Sequence, residues 1–165
     1  FSLIYGAGVP ALAAQLGVPG HEASQIKRAY LKTMVGLADF QQSVSMRSEV
    51  KTWGGRIIPV QPPKYNEDGS VWTFNYKLVN HLIQGTAADQ TKESIIRHDE
   101  DPNKVGRFLM TVHDENVHSV KLENLLAGAI AMAQSMEGLE GFDVPFIVEL
   151  EYGANWHDLT SLETA

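Results

Sequence analysis

An α+β fold with antiparallel strands is predicted for this 165-residue chain from three observations. The first third repeats apolar residues at helical spacing between glycine and proline breaks. Short β-rich runs then occur in pairs around turn residues, the pattern of hairpins. Two further helical stretches stand among those hairpins without an internal proline.

Taken in order, FSLIY reads as the end of a helix, stopped where Gly6 and Gly8 permit a left-handed turn. Pro10 suits the first turn of a short helix, PALAAQL, which Gly17 and Pro19 close. Ala23, Ile26, Ala29, Tyr30 and Met34 recur at helical spacing and predict a helix from His21 to Met34. Another is predicted over Leu37–Val50. KTWGGRIIPV (Lys51–Val60) predicts a hairpin around Gly54–Gly55, and Pro62, Pro63, Asp68 and Gly69 mark a polar loop. A long helix is expected over Thr73–Arg97, followed by a loop at Asp99–Asn103. RFLMTV and NVHSV predict two strands flanking His113–Asp114–Glu115. A helix over Leu122–Glu137, a strand VPFIVELEY and a tail GANWHDL complete the chain.

Composition sets bounds on function. No cysteine is present, which excludes a disulfide framework, thiolate metal sites and a cysteine nucleophile. The net charge is −7, but it is uneven. Residues 1–56 carry six basic and three acidic side chains, residues 57–110 six and seven, and residues 111–165 one and ten. Such a split suits a polyanion surface beside a cation-binding one, and equally two solvated faces. The opening segment is apolar without a basic lead-in, and its glycines interrupt it before a signal peptide or membrane span forms. Since it also starts on Phe1, the chain is expected to be a piece of a longer protein that begins inside an element.

Four groups of residues stand out. At His113–Asp114–Glu115 adjacent carboxylates fall on a turn between apolar strands. If buried there, they repel and lose hydration unless a cation such as magnesium or manganese neutralises them; if exposed, they form an ordinary solvated turn. In NHLIQGTAAD, Gly85, Ala87 and Ala88 leave a helix patch without bulk, while Asn80 and Gln84 share a face. That patch suits either close helix packing or the approach of a ligand. Phe1 and Tyr5 lie four apart, which fits a core pair or a stacking platform. Arg56 follows two glycines on a hairpin, where a guanidinium is able to grip phosphate.

In this order and spacing the segments resemble the family A DNA polymerases. FSLIYG resembles the end of the family's fingers-helix motif, TWGGRIIPV its GR-containing hairpin, and NHLIQGTAAD its N-x-x-x-QGTAAD helix. TVHDEN is similar to the family's VHDE hairpin, and VPFIVELEYGANW to its closing strand with G-x-x-W. The resemblance covers the whole length. Single-subunit RNA polymerases share the architecture, but their metal hairpin lacks the glutamate found here as Glu115.

The resemblance implies a helical fingers portion over residues 1–50 and part of an antiparallel palm sheet with packed helices over residues 51–165. It implies primer extension by phosphoryl transfer with two magnesium or manganese ions, primer–template DNA and a deoxynucleoside triphosphate as partners, and no membrane. Asp114 would be a metal-binding carboxylate with Glu115 its neighbour, both counted as catalytic. His113 would meet the primer backbone, Gln84 and Asn80 the DNA near the primer end, and Arg56 the duplex backbone. Phe1 would pack beside the incoming nucleotide and Tyr5 where the template base waits. The family's other metal carboxylate and its triphosphate-binding basic residues would lie before Phe1, so the isolated chain is expected to be inactive and to need the preceding part of the same polymerase. The setting implied is the cytoplasm of a bacterial or phage-infected cell. Two departures are Ser2, where the family has glycine, and Tyr76, where many relatives carry a basic residue. Two other readings are a non-catalytic DNA-binding or interaction module that retains the hairpin, and a metal-dependent hydrolase recruiting His118 and Asp158 to the turn.

Overall fold

The computed structural model describes residues 2–162. Residues 2–7 carry the hydrogen bonds of a helix end: the Gly6 amide donates to Leu3 O at 3.1 Å and the Ala7 amide to Ser2 O at 3.0 Å, with Gly6 at φ 84°. This is the paired bonding that closes a helix on a left-handed residue, as the sequence predicts. Helices α1 (Val9–Leu16), α2 (Gly20–Thr33) and α3 (Leu37–Ser45) follow. Leu12 and Ala23 are buried on α1 and α2, which pack together.

The third helix ends five residues short of the predicted Val50, because residues 49–51 form strand β1 (Glu49–Lys51) with β2 (Ile57–Pro59). Val50 pairs with Ile58 and is buried with Val44, Leu78 and Val79. A β-branched side chain with a cross-strand partner and a core below it gains more as strand than as a further helical turn. The polar loop contains a small hairpin, β3 (Lys64–Tyr65) with β4 (Val71–Trp72). Its Asp68 Oδ1 accepts from the Ser70 amide at 2.9 Å, and Gly69 takes φ 81°. The Ser70 hydroxyl, which donates to the same oxygen at 2.6 Å, and after it the Ser70 amide hold Asp68 below the usual carboxylate range.

Helix α4 (Lys77–Glu100) is 24 residues long and starts four residues later than predicted. Residues 74 and 75 instead accept turn bonds from the amides of Lys77 and Leu78. Strands β5 (Arg107–Val112) and β6 (Glu115–Ser119) form the predicted antiparallel hairpin, with a register shift between Phe108 and Met110. A 3₁₀ turn (Leu122–Asn124) leads into α5 (Leu125–Glu137). Of the predicted strand VPFIVELEY only β7 (Glu151–Tyr152) forms a ladder, with β8 (Thr160–Ser161). The Leu162 amide extends that pairing by donating to Leu150 O at 2.8 Å, but among the described residues no strand lies alongside residues 144–149. Ile147 is 86% exposed there.

The outcome is α+β, with four separate two-stranded antiparallel sheets among the described residues. Two compact units divide at residues 86 and 87, within α4. That division by compactness differs from the division by role expected at residue 50; Val44 and Val50 share one core with Leu78 and Val79. Among the described residues, no helix is long and apolar enough to cross a membrane.

In the first unit, a close contact decides how the β1–β2 hairpin lies on α4. A Cβ added to Gly85 would stand 2.7 Å from Thr52 Cγ2 and 3.5 Å from Ile58 Cδ1. Thr52 is itself buried, at 3% exposure, so it has little room to yield. Gly85→Ala is expected to lower stability by about 1–2 kcal/mol, because overpacking outweighs the gain of about 1 kcal/mol for alanine in a helix. Thr52→Ser, which removes Cγ2 and keeps the hydroxyl, restores most of that loss. Urea unfolding of the single and double variants measures both effects.

Candidate functional site

The candidate residues fall in both units, and each group is described within its own. In the first unit the turn after β1 is built by Thr52. Its amide donates to Arg56 O at 2.9 Å, its carbonyl accepts from the Gly55 amide at 2.9 Å, and its Oγ1 accepts from the Arg56 amide at 3.1 Å. Gly55 takes φ 88°, which the turn requires. The Trp53 amide donates to Thr86 Oγ1 at 3.2 Å, and Arg56 Nη2 donates to Gly85 O at 2.8 Å. The turn is thereby tied to the small-residue patch of α4 that the sequence singles out. Arg56 is exposed, and one arm of its guanidinium serves this helix carbonyl.

Gln84 is exposed one residue before that contact. Asn80, one turn earlier, is half-buried, and its Oδ1 is shut from solvent without a hydrogen-bond partner. An unpaired buried acceptor costs about 1–3 kcal/mol. Tyr5 is half-buried, on the turn that Gln41 holds by donating to Leu3 O at 2.8 Å and Ile4 O at 2.9 Å. Ser2 Oγ donates to Gln15 Oε1 at 2.9 Å. Phe1 lies outside the described residues, so its pairing with Tyr5 is not placed. Tyr76 is 49% exposed.

In the second unit β5 and β6 are joined by a two-residue loop, His113–Asp114, with Val112 paired to Glu115. His113 has φ 56°, the one positive φ at a non-glycine residue among those described. Tight hairpins need a left-handed residue to match the strand twist, and glycine normally supplies it. Histidine in that position carries a strain of order 1–2 kcal/mol. Thr111 Oγ1 donates to Glu115 O at 2.9 Å and closes the base of the turn. His113, Asp114 and Glu115 are all exposed. The carboxylates therefore keep their hydration in this structure. The turn offers hard oxygen donors, but no group of three His, Asp or Glu side chains among the described residues is placed to hold a metal ion. These residues alone do not complete a divalent-cation site.

The same observation removes the ligand set that a hydrolase at this turn needs. His118 faces His98, with ring centroids 4.4 Å apart, and Phe108 at 5.5 Å, both edge-to-face. Asp158 belongs to a turn in which Asn155 Nδ2 donates to its Oδ2 at 3.1 Å. A polar cluster on α4 and β6 is not among the candidates read from the sequence as a group. Asn116 Nδ2 donates to Ser94 Oγ at 2.9 Å, and Ser94 Oγ donates to Thr91 O at 2.8 Å. Its signal was spacing: Ser94 and His98 lie one helical turn apart, and Asn116 and His118 two apart on a strand.

His113→Gly exchanges strain for chain entropy, so it is expected to change stability by less than about 1 kcal/mol. His113→Val, branched at Cβ, costs about 2 kcal/mol. Chemical denaturation that ranks valine equal to glycine removes the left-handed turn as the reason.

Comparison with known proteins gives a consistent picture. Residues 1–158 match the model of DNA polymerase family A. DNA polymerase I of Pseudomonas aeruginosa is 30% identical over 96% of the chain and 18% of that protein. The enzyme of Deinococcus radiodurans is 29% identical over 96% of the chain and 17% of its own length. The chain thus spans under one fifth of the curated relatives it matches. Among solved structures, the POL domain of Pol1 from M. smegmatis, in complex with DNA primer-template and dNTP, has a TM-score of 0.76 at 26% identity. It covers 87% of this chain and 27% of its own.

Proposed function

Because the chain belongs to DNA polymerase family A, we propose that it supplies the later fingers and the C-terminal palm of a DNA-directed DNA polymerase that extends a primer 3′ end. The observation that carries this reading is the Asp114–Glu115 turn, held at the tip of an antiparallel hairpin by a left-handed His113. Its support is the family match across residues 1–158 and the likeness to a Pol1 POL domain in complex with DNA primer-template and dNTP.

Primer extension is an in-line displacement at the α-phosphate of a nucleoside triphosphate, with pyrophosphate leaving. Divalent cations in such a site stabilise the attacking and leaving oxygens. Asp114 supplies one carboxylate from this chain, and Glu115 a second on the same short turn. Carboxylates able to hold two cations must come from separate segments, so the ligand set is completed by residues outside those described. His113 stands beside them and donates to the primer backbone. Arg56, already bonded to Gly85 O, presents its cationic plane to the duplex, and Gln84 and Asn80 offer amide groups to the DNA near the primer end. Tyr5 stacks by the template base, and Phe1 borders the nucleotide. The remaining part of the same polymerase and the cytoplasm of a bacterial or phage-infected cell complete the setting.

Two results test this. The 165-residue chain with magnesium, primed template and dNTPs is expected to give no extension; clear extension by the pure chain overturns the shared ligand set. In the polymerase that contains the chain, Asp114→Ala lowers the rate of nucleotide addition by at least about a thousandfold, while primer–template binding changes little. A near-normal rate shows that Asp114 is not the metal carboxylate, and favours a non-catalytic DNA-binding role for the hairpin.

A further inference from the structure

The polar cluster between α4 and β6 has no role in the reading above, yet it lies directly behind the reacting turn. Asn116 follows Glu115 by one residue, and its side-chain amide donates to Ser94 Oγ at 2.9 Å. Ser94 is 1% exposed. Two residues further along β6, His118 sets its ring edge-to-face with that of His98, which is 4% exposed. Both ring nitrogens of His98, Nδ1 of His118 and Oδ1 of Asn116 are shut from solvent without a hydrogen-bond partner.

This arrangement is expensive. Each unpaired buried polar atom costs on the order of 1–3 kcal/mol, and apolar side chains of the same shape would join hairpin to helix at lower cost. What polar groups add is direction: one hydrogen bond and one ring contact, on alternate residues of the strand, fix both its register and its rotation on the helix.

We propose that Ser94, His98, Asn116 and His118 form a clamp that positions the Asp114–Glu115 turn on α4, and that acid opens the clamp by protonating His118. The clamp itself stands on geometry; its service to catalysis rests on the polymerase reading. Asp99, Glu100, Lys104 and Arg107 line the cavity beside His98. Asp114, Glu115, Glu149 and Glu151 line the groove that His118 faces. Against these carboxylates burial dominates: it pushes His118 down to about 4, with repulsion from His98 adding to it. The folded state thus favours neutral His118, so its contribution is complete above the unfolded value near 6.5 and is lost as pH falls toward 4. At pH 5.5 linkage gives about a tenfold loss in the closed-to-open ratio of the hairpin.

Hydrogen exchange of the 165-residue chain tests the clamp without any catalysis. Protection factors of β5–β6 amides are expected to fall about tenfold from pH 7.5 to pH 5.5, and to stay level in His118→Phe and in the more conservative His118→Gln. An equal fall in wild type and both variants, or no fall in wild type, overturns the acid-opened clamp. Positioning is tested in the polymerase that contains the chain. Ser94→Ala should lower kcat roughly tenfold, the size of one directional hydrogen bond, with KM for the nucleotide within about twofold. Adding Asn116→Leu removes the stranded amide and restores stability, but kcat should remain low. Recovery of kcat together with stability shows a merely structural contact and overturns positioning. If the wild-type polymerase extends no primer, the functional reading falls, and the exchange experiment still decides the clamp.

Discussion

Helix α4 has no side chain at Gly85, and the turn after β1 fills the space that a Cβ would occupy. That close approach lets Arg56 reach the Gly85 carbonyl and Thr86 receive the Trp53 amide, so one missing carbon sets the place of a whole hairpin. The buried cluster of Val44, Val50, Leu78 and Val79 supplies the apolar attraction, each side chain contributing about 1.5–3 kcal/mol on burial. Attraction of that kind has no direction. The steric notch and its hydrogen bonds give the hairpin a single seat, from which Arg56 and Gln84 remain exposed.

Further along the same helix, Ser94 and His98 receive the second hairpin by a different device. There the fit is polar and partly unsatisfied, and it leaves the Asp114–Glu115 tip in solvent. Exposure changes the electrostatics of that tip. Two adjacent carboxylates in water repel only weakly and keep their hydration, so the turn is stable without a cation. Strain is concentrated instead in the backbone at His113, where a left-handed residue is needed and glycine is absent.

Much of this was legible in the residues. Gly6, the Gly54–Gly55 pair and the two β-rich runs around residues 113–115 each announce a turn whose geometry the structure contains. The family was legible in QGTAAD and VHDE, which contain the close approach at Gly85 and the left-handed residue at His113. Boundaries were less legible. Val50 reads as well on a helix as on a strand until Ile58 stands opposite it. VPFIVELEY has every property of a strand, but a ladder also needs a neighbour, and residues 144–149 have none among those described.

Local chemistry thus determined where the chain turns at Gly6, Gly54–Gly55 and His113, the placing of both carboxylates at one hairpin tip and the membership of a polymerase family. These depend on residues a few positions apart, whose steric limits the chain carries with it. Only the tertiary structure decided that Arg56 is bonded to a helix carbonyl, that the Asp114–Glu115 pair is solvated, and that His98 and His118 meet. Burial and pairing between distant residues are properties of the packed chain. Twenty residues separate His98 from His118, and no spacing rule brings two histidine rings to 4.4 Å.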